Sequence, residues 1–189
     1  MRVGVLALQG AFRAHLEMFA AVGAQVVAVK LPLHLDGIDA IILPGGESTT
    51  QDKLLDTSGL REPLTDALRA GMACMATCAG LILLATEVID GRVDQKPLGL
   101  LDIAVRRNGY GRQVDSFETP LEIAAMGAPD FPGVFIRAPK IERLGRGEVM
   151  ATHHESPVLM RDGAIWGATF HPELSRDLRL HQQFLDQCS

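Results

Sequence analysis

Residues 76–80 read Ala-Thr-Cys-Ala-Gly, between an apolar run at residues 72–76 and a helix-forming run at residues 81–85. That order predicts a cysteine, Cys78, on a strand-to-helix turn. Such a turn lifts one side chain clear of a sheet, and the small neighbours Ala76, Ala79 and Gly80 let a substrate approach its backbone. The start of the following helix lends partial positive charge and N–H groups, which favour thiolate over thiol and can bind an oxyanion. A free cysteine is otherwise most often a core residue. The setting of Cys78 and the partners it finds elsewhere point instead to a nucleophile.

A cysteine nucleophile needs a base, and the base needs a group to hold its ring. Phe170-His171-Pro172-Glu173 can supply both. In an extended segment residues i and i+2 project to one side, so Glu173 can accept from one nitrogen of His171 while the other faces Cys78. A His two residues from a Glu is by itself commonly a solvated pair, but this one follows a strand directly, as Cys78 does. The Gly45-Gly46 pair supplies a third element, backbone without Cβ that can turn an N–H toward a developing negative oxygen. The expected oxyanion hole is the N–H groups of Gly46 and Ala79. Losing one such donor costs about 2.7–4 kcal/mol of transition-state stabilisation.

The elements that must position these groups alternate in α/β fashion through the first half. Residues 3–8 read as a buried strand and residues 11–22 as a helix stopped by Gly23. Strands follow at residues 26–29, 40–43 and 72–77, of the continuous apolar type that a sheet covered on both faces requires. Between the last two lie a loop at residues 44–50 and helices near residues 51–56 and 61–70. From Leu98 onward strands follow one another, at residues 100–106, 133–137, 148–152, 158–160 and 164–170, which implies an antiparallel extension. Asp162-Gly163 signals a hairpin, and Ser175 is expected to cap a closing helix to about Gln187. The predicted architecture is a three-layer α/β sandwich over residues 1–189, one domain with a mixed, mostly parallel sheet. Its ligand site lies at the carboxyl ends of the parallel strands, where Cys78 and the 44–50 loop both fall.

Composition excludes several classes. The balance of 18 basic against 23 acidic side chains is mildly acidic, and no cluster of Lys and Arg would follow a phosphate backbone, so nucleic acid is not an expected partner. Cys74, Cys78 and Cys188 have neither the number nor the spacing of a disulfide framework or zinc site, which suits a reducing compartment. The apolar stretch after Arg2 ends at Gln9, too short for a signal-peptide core, and no run approaches membrane-spanning length; the expected location is the cytoplasm. Neighbours on a strand face opposite ways, so His153-His154 reads as exposed or satisfied imidazoles and not as a metal pair. His15, His34 and His181 read as structural or surface residues, and Arg2, Arg106 and Arg112 as solvated charges.

Segments across nearly the whole chain resemble one family. They are residues 3–10 (Val-Gly-Val-Leu-Ala-Leu-Gln-Gly), 43–50, 77–82 (Thr-Cys-Ala-Gly-Leu-Ile), Arg107-Asn108 with 111–118 (Gly-Arg-Gln-Val-Asp-Ser-Phe-Glu), 134–139 (Val-Phe-Ile-Arg-Ala-Pro) and 170–174 (Phe-His-Pro-Glu-Leu). The chain is similar to the glutaminase subunits of pyridoxal 5′-phosphate synthase, within the class I (triad) glutamine amidotransferases of flavodoxin-like fold. The Cys and the His-Pro-Glu belong to the wider superfamily; Arg-Gln-Val-Asp-Ser-Phe-Glu and Phe-Ile-Arg-Ala-Pro are particular to this subunit.

That resemblance implies a triad of Cys78, His171 and Glu173, with L-glutamine held by Gly46, Glu47, Ser48, Arg107, Ile136 and Arg137. It implies no cofactor and no metal. An arginine on the α-carboxylate would distinguish free glutamine from glutamine in a peptide. It also implies a (β/α)₈-barrel synthase subunit as partner in a large hetero-oligomer, with the oxyanion loop completed only on docking. The first helix and the Gln9-Gly10 turn are the expected contact points. Ala76 stands where the family usually has glycine, which leaves open a non-catalytic regulatory subunit. A DJ-1-like cysteine hydrolase or deglycase is the other alternative; it would need neither Glu173 beside His171 nor Arg107 and Arg137.

Overall fold

A computed structural model describes residues 1–107, 109 and 116–188. In its first half the chain runs β1 (Arg2–Leu6), α1 (Phe12–Ala21), β2 (Gln25–Val29), β3 (Ala40–Leu43), α2 (Ser48–Thr57), α3 (Arg61–Arg69), β4 (Ala73–Thr77) and α4 (Ala79–Leu84). It continues through β5 (Ala85–Val88), β6 (Leu101–Arg106), β7 (Phe117–Leu121), β8 (Phe131–Phe135), β9 (Lys140–Leu144), β10 (Glu148–His153), β11 (Ser156–Asp162), β12 (Ile165–Ala168) and α5 (Arg179–Cys188).

Seven strands form the central sheet in the order β10-β11-β12-β4-β3-β1-β2. The block from β12 to β2 is parallel, and β11 and β10 are added antiparallel. The sheet is thus mixed and mostly parallel, as expected. The antiparallel extension is smaller than the sequence suggests, because β6 and β8 leave it for two small sheets, β5-β6-β9 and β7-β8.

Successive side chains in the parallel strands enter opposite layers, the period-two consequence of the pleat. In β3, Ile41 and Leu43 join the core under α2, α3 and α4, while Ala40 and Ile42 join the core under α1 and α5. In β4, Cys74 and Ala76 go to the first layer and Met75 to the second. Each fully buried Ile or Leu contributes about 1.5–3 kcal/mol of transfer free energy, and two covered faces explain why these runs carry no polar alternation.

Several local expectations change. Strands β5, β7 and β9 are not legible in the sequence. Pro120 in β7 is tolerated only at an edge, and β9 reads Lys-Ile-Glu-Arg-Leu with Ile141 alone fully buried. The helix expected near residues 51–56 begins at Ser48, because the Glu47 carboxylate accepts from the N–H groups of Thr49 and Thr50 and caps it. Asp162 pairs with Ile165, so the hairpin turn is Gly163-Ala164, with Gly163 at φ 58°. Ser175 caps no helix; its hydroxyl donates to Pro172 O at 2.8 Å and closes a 3₁₀ turn over Pro172–Leu174. The N–H of Arg179, where α5 starts, bonds instead to Asp177.

Candidate active site

β12 and β4 lie side by side in parallel with Ala168 opposite Thr77. The N–H of Cys78 donates to Ala168 O at 2.8 Å. One residue beyond its strand the chain reaches Cys78, and three residues beyond the neighbouring strand it reaches His171. Two positions 93 residues apart therefore meet at one sheet edge. His171 N–H donates to Val134 O at 2.8 Å, so the end of β8 fixes this segment from outside.

Cys78 has φ 48° and ψ −105°, a left-handed backbone conformation that a non-glycine residue adopts only at a cost of order 1–3 kcal/mol. The turn is supported from below. A Cβ on Gly80 would lie 2.0 Å from Leu43 O, so a side chain there would push α4 off β3 and relax the turn. Ala76, by contrast, is a regular strand residue paired with Gly167 and Leu43, its methyl wholly buried in the first core layer. The steric demand of the turn falls on residue 80, and the methyl at 76 fits.

His171 is buried, with Nδ1 2.8 Å from Glu173 Oε1 and its ring within hydrogen-bonding reach of Cys78. The pairing is made through a turn and not an extended segment: Pro172 starts the 3₁₀ turn that swings Glu173 beneath the ring. Burial works to lower the His171 pKa, but the hydrogen bonds to Cys78 and Glu173 and their negative charge overcome it and raise it to about 10. The ring holds its proton at neutral pH. Burial likewise opposes charge on Glu173, and His15 and His171 outweigh it, keeping that carboxyl below its usual range.

The glycine loop packs against this base. A Cβ on Gly45 would fall 2.4 Å from His171 Cε1 and 3.4 Å from Cys78 Cβ, so glycine is required for the loop to reach the reacting groups. The loop is tied down on three sides. Gly45 N–H donates to Thr77 Oγ1 at 3.0 Å, Gly45 O accepts from Ala11 N–H at 2.9 Å, and Glu47 N–H donates to Gln9 Oε1 at 2.8 Å. The Gln9-Gly10 turn, expected to be a partner contact, thus braces the site loop.

Cys78, Ala79, His171, Gly46, Glu47, Ser48, Arg107, Ile136 and Arg137 line one cavity of about 310 Å³ at the carboxyl ends of β1, β3 and β4. That is the lower end of the roughly 300–1,000 Å³ typical of small-molecule sites. Glu173 stands behind His171 and does not line it. Gln9, Gly45, Ile82 and Leu174 also form the wall without having been singled out as ligands. Ser48 Oγ is buried and has no hydrogen-bond partner among the described residues.

The charged wall differs from the expectation in detail. Arg107 donates to Glu47 Oε1 at 3.0 Å, so these two predicted glutamine ligands are paired with each other. Partial burial would raise the Glu47 pKa, but hydrogen bonds from the Thr49 and Thr50 hydroxyls and N–H groups bring it to about 2. Arg137, at φ 44°, forms no ion pair among the described residues. The motif portion at residues 111–115, with Arg112, lies outside the described residues. Arg2 and Arg106 behave as surface charges, on Asp36 O and Glu142.

Two histidines read as structural or surface residues lie directly behind the base. His15 on α1 and His181 on α5 are both fully buried, and His15 Nε2 is 3.3 Å from Glu173 Oε2. A signal existed: His15 shares a helical stripe with Met18 and Phe19, and His181 with Phe184 and Leu185, the i+3 and i+4 spacing of a covered face. His153 packs against Phe117 and Phe135 with its ring tilted by 31° and 32° to theirs. His154 is in the following turn at φ 46°, its ring 4.2 Å from that of His153, so the pair does not face opposite ways. No cluster of ligands suited to a metal occurs among the described residues, and no helix there is long and apolar enough to cross a membrane.

A cysteine elbow beside a histidine, at the carboxyl edge of a mixed α/β sheet, is the arrangement of the class I glutamine amidotransferases. A solved structure titled as a glutamine amidotransferase superposes with a TM-score of 0.92 at 46% identity, covering 98% of both chains. The PurLQS structure from Thermotoga maritima, 17% identical with a TM-score of 0.70 over 100% of this chain and 99% of that one, shares the fold. Residues 5–189 match the SNO glutamine amidotransferase family, and the chain belongs to it. It is an enzyme, a glutaminase. Among relatives, the protein named pyridoxal 5′-phosphate synthase subunit PdxT of Thermotoga neapolitana is 49% identical over 98% of both chains. Those of the same name from Pelotomaculum thermopropionicum and Deinococcus radiodurans are 51% identical (100% of this chain, 95% of theirs) and 52% identical (98% and 96%).

Proposed function

We propose that this chain, acting as one domain over residues 1–189, hydrolyses free L-glutamine through Cys78, His171 and Glu173. The ammonia passes to a (β/α)₈-barrel subunit of pyridoxal 5′-phosphate synthase within a hetero-oligomer. The observation that carries this reading is the buried His171 between Cys78 and Glu173, its proton retained to a pKa of about 10.

Cys78 Sγ attacks the side-chain amide carbon, and the C–N bond breaks as His171 gives its proton to the departing nitrogen. Ammonia leaves and a γ-glutamyl thioester remains. Water, deprotonated by His171, then adds to the thioester carbon, and glutamate departs as the thiol is restored. Gly46 and Ala79 are the oxyanion donors in this scheme. Ser48 Oγ, Ile136 and Arg137 hold the amino-acid end, and Arg107 joins them when it turns from Glu47 to the α-carboxylate.

Glu173 behind the base and the two arginines at the cavity wall favour this chemistry over a DJ-1-like hydrolase. The accommodated Ala76 methyl removes the reason to read the chain as a silent regulatory subunit. The synthase partner rests on the full-length similarity to proteins that bear that name. The deciding experiment measures glutamate release with and without the cognate synthase, using Cys78→Ala as control. Release that needs both Cys78 and synthase is expected. Activity surviving in Cys78→Ala would sink the mechanism, and equal rates without synthase would remove the docking requirement.

A further inference from the structure

We infer that His15 is a positioning residue for the glutaminase reaction, a buried imidazole that orients Glu173 and, through Thr77, couples that carboxylate to the glycine loop. The inference rests on the Cys78, His171 and Glu173 reading above. His15 Nε2 lies 3.3 Å from Glu173 Oε2 and 3.2 Å from Thr77 Oγ1, with its hydrogen bond made to the hydroxyl. Glu173 Oε2 is buried and has no hydrogen-bond partner among the described residues, so the imidazole 3.3 Å away is the polar group beside it. Thr77 Oγ1 in turn accepts the Gly45 N–H at 3.0 Å. One imidazole nitrogen thus stands between the carboxylate that holds the base and the hydroxyl that holds the loop.

The far side of the ring is also engaged. His15 Nδ1 is 3.4 Å from His181 Nε2, and the edge of His181 packs on Phe19 with ring centroids 4.9 Å apart. The titratable groups facing His15 are Glu173 and His171 from the segment after β12 and His181 from α5, with Asp177 beyond His181. Burial lowers the pKa of His15 first, the Glu173 charge opposes this, and His171 adds to the lowering, so the balance favours the uncharged ring. A ring with its proton on Nε2 can give that N–H to the Thr77 hydroxyl, with Glu173 Oε2 alongside at 3.3 Å, and accept on Nδ1 from His181. The donors then all run toward Glu173, and the buried carboxylate is met from both sides. Without the contact at Oε2 the carboxylate can rotate, and the His171 ring with it.

The test uses the chain with its synthase, reading kcat and KM for glutamate release, and the free chain, reading the pH profile of Cys78 alkylation by iodoacetamide with Cys78→Ala as background. His15→Leu fills the volume without a donor, and His15→Gln places an amide N–H near the position of Nε2. The expected result for His15→Leu is a kcat lower by about 10- to 100-fold, the cost of a base displaced by up to about 1 Å once Glu173 is released. Its KM stays within about twofold, its alkylation profile is displaced, and His15→Gln recovers most of the loss. Wild-type kcat and profile in folded His15→Leu would overturn the inference, as would a His15→Gln no better than His15→Leu. If His15→Leu does not fold, Thr77→Val decides: lower kcat in a folded protein supports the coupling, and unchanged kcat refutes it. Activity surviving in Cys78→Ala would instead bring down the triad reading itself, a separate failure.

Discussion

The two walls of the cavity are built differently. On one side Cys78, His171, Glu173 and His15 are buried, Glu173 lies 2.8 Å from His171 and 3.3 Å from His15, and the strained backbone at Cys78 is wedged by Gly80 against Leu43. On the other, Glu47 and Arg107 are partly exposed and bonded to each other, and Arg137 is at the surface. Bond-making groups must be held within a fraction of an ångström before substrate arrives. A group that binds charge can spend its resting state on an ion pair in water at little cost. The reacting side chains are packed together within the chain itself, whereas the substrate wall is occupied by its own salt bridge.

The comparison can be broken most severely at Gly45. The added methyl of Gly45→Ala would press on His171 Cε1, and displacing the base by about 1 Å should cost on the order of 10²-fold in kcat. A normal rate in Gly45→Ala would mean that the base is not held as the structure has it. Gly80→Ala should act on the support itself, lowering unfolding free energy by about 1–3 kcal/mol as α4 is pushed off β3; denaturant titration reads this directly. Unaltered stability there would show that the elbow is not wedged.

The buried wall also sets a pH signature. His181 is pushed down to about 3, by burial first and His15 second. Against a reference near 6.5, the unfolded chain takes that proton first, so its contribution is complete above about pH 6.5 and is lost as pH falls toward 3. His171 runs the other way: its contribution is complete below about pH 6.5 and is lost as pH rises to about 10. Thermal melts across pH should therefore trace a dome. His181→Leu should flatten the acid limb and leave the alkaline one, and two equally flattened limbs would contradict the assignment.

The smallest effect is expected at the open wall. Arg107→Gln should change stability by less than about 1 kcal/mol and raise KM with little change in kcat, since a carboxylate clamp binds ground and transition states alike. Added salt should weaken glutamine binding through this wall more than it slows the chemical step. A fall in kcat with constant KM would assign Arg107 to the reaction and erase the distinction between the walls.

Much of this was legible in residue types. The apolar runs that become β1 to β4, the elbow at Cys78 and the His171-Glu173 pair all declare themselves through short-range rules of burial, turn chemistry and proton transfer. Those rules do not say where separate elements meet. His15 and His181 read as ordinary helical histidines because nothing within a few residues of either requires a polar partner. Only the packing of α1 and α5 on one face of the sheet brings them behind Glu173. Likewise Glu47 and Arg107 are 60 residues apart, and the acidic residue at the start of α2 became a cap and a salt-bridge partner once the loop had closed. The short strands β5, β7 and β9 lacked a pattern because one buried residue or an edge position suffices for them. The sequence by itself determined the reacting groups and the parallel core, since chemistry and hydrophobic period are local properties. The tertiary structure decided their company, because contacts across 60 to 166 residues depend on how layers stack and on which charges the closed fold leaves to water.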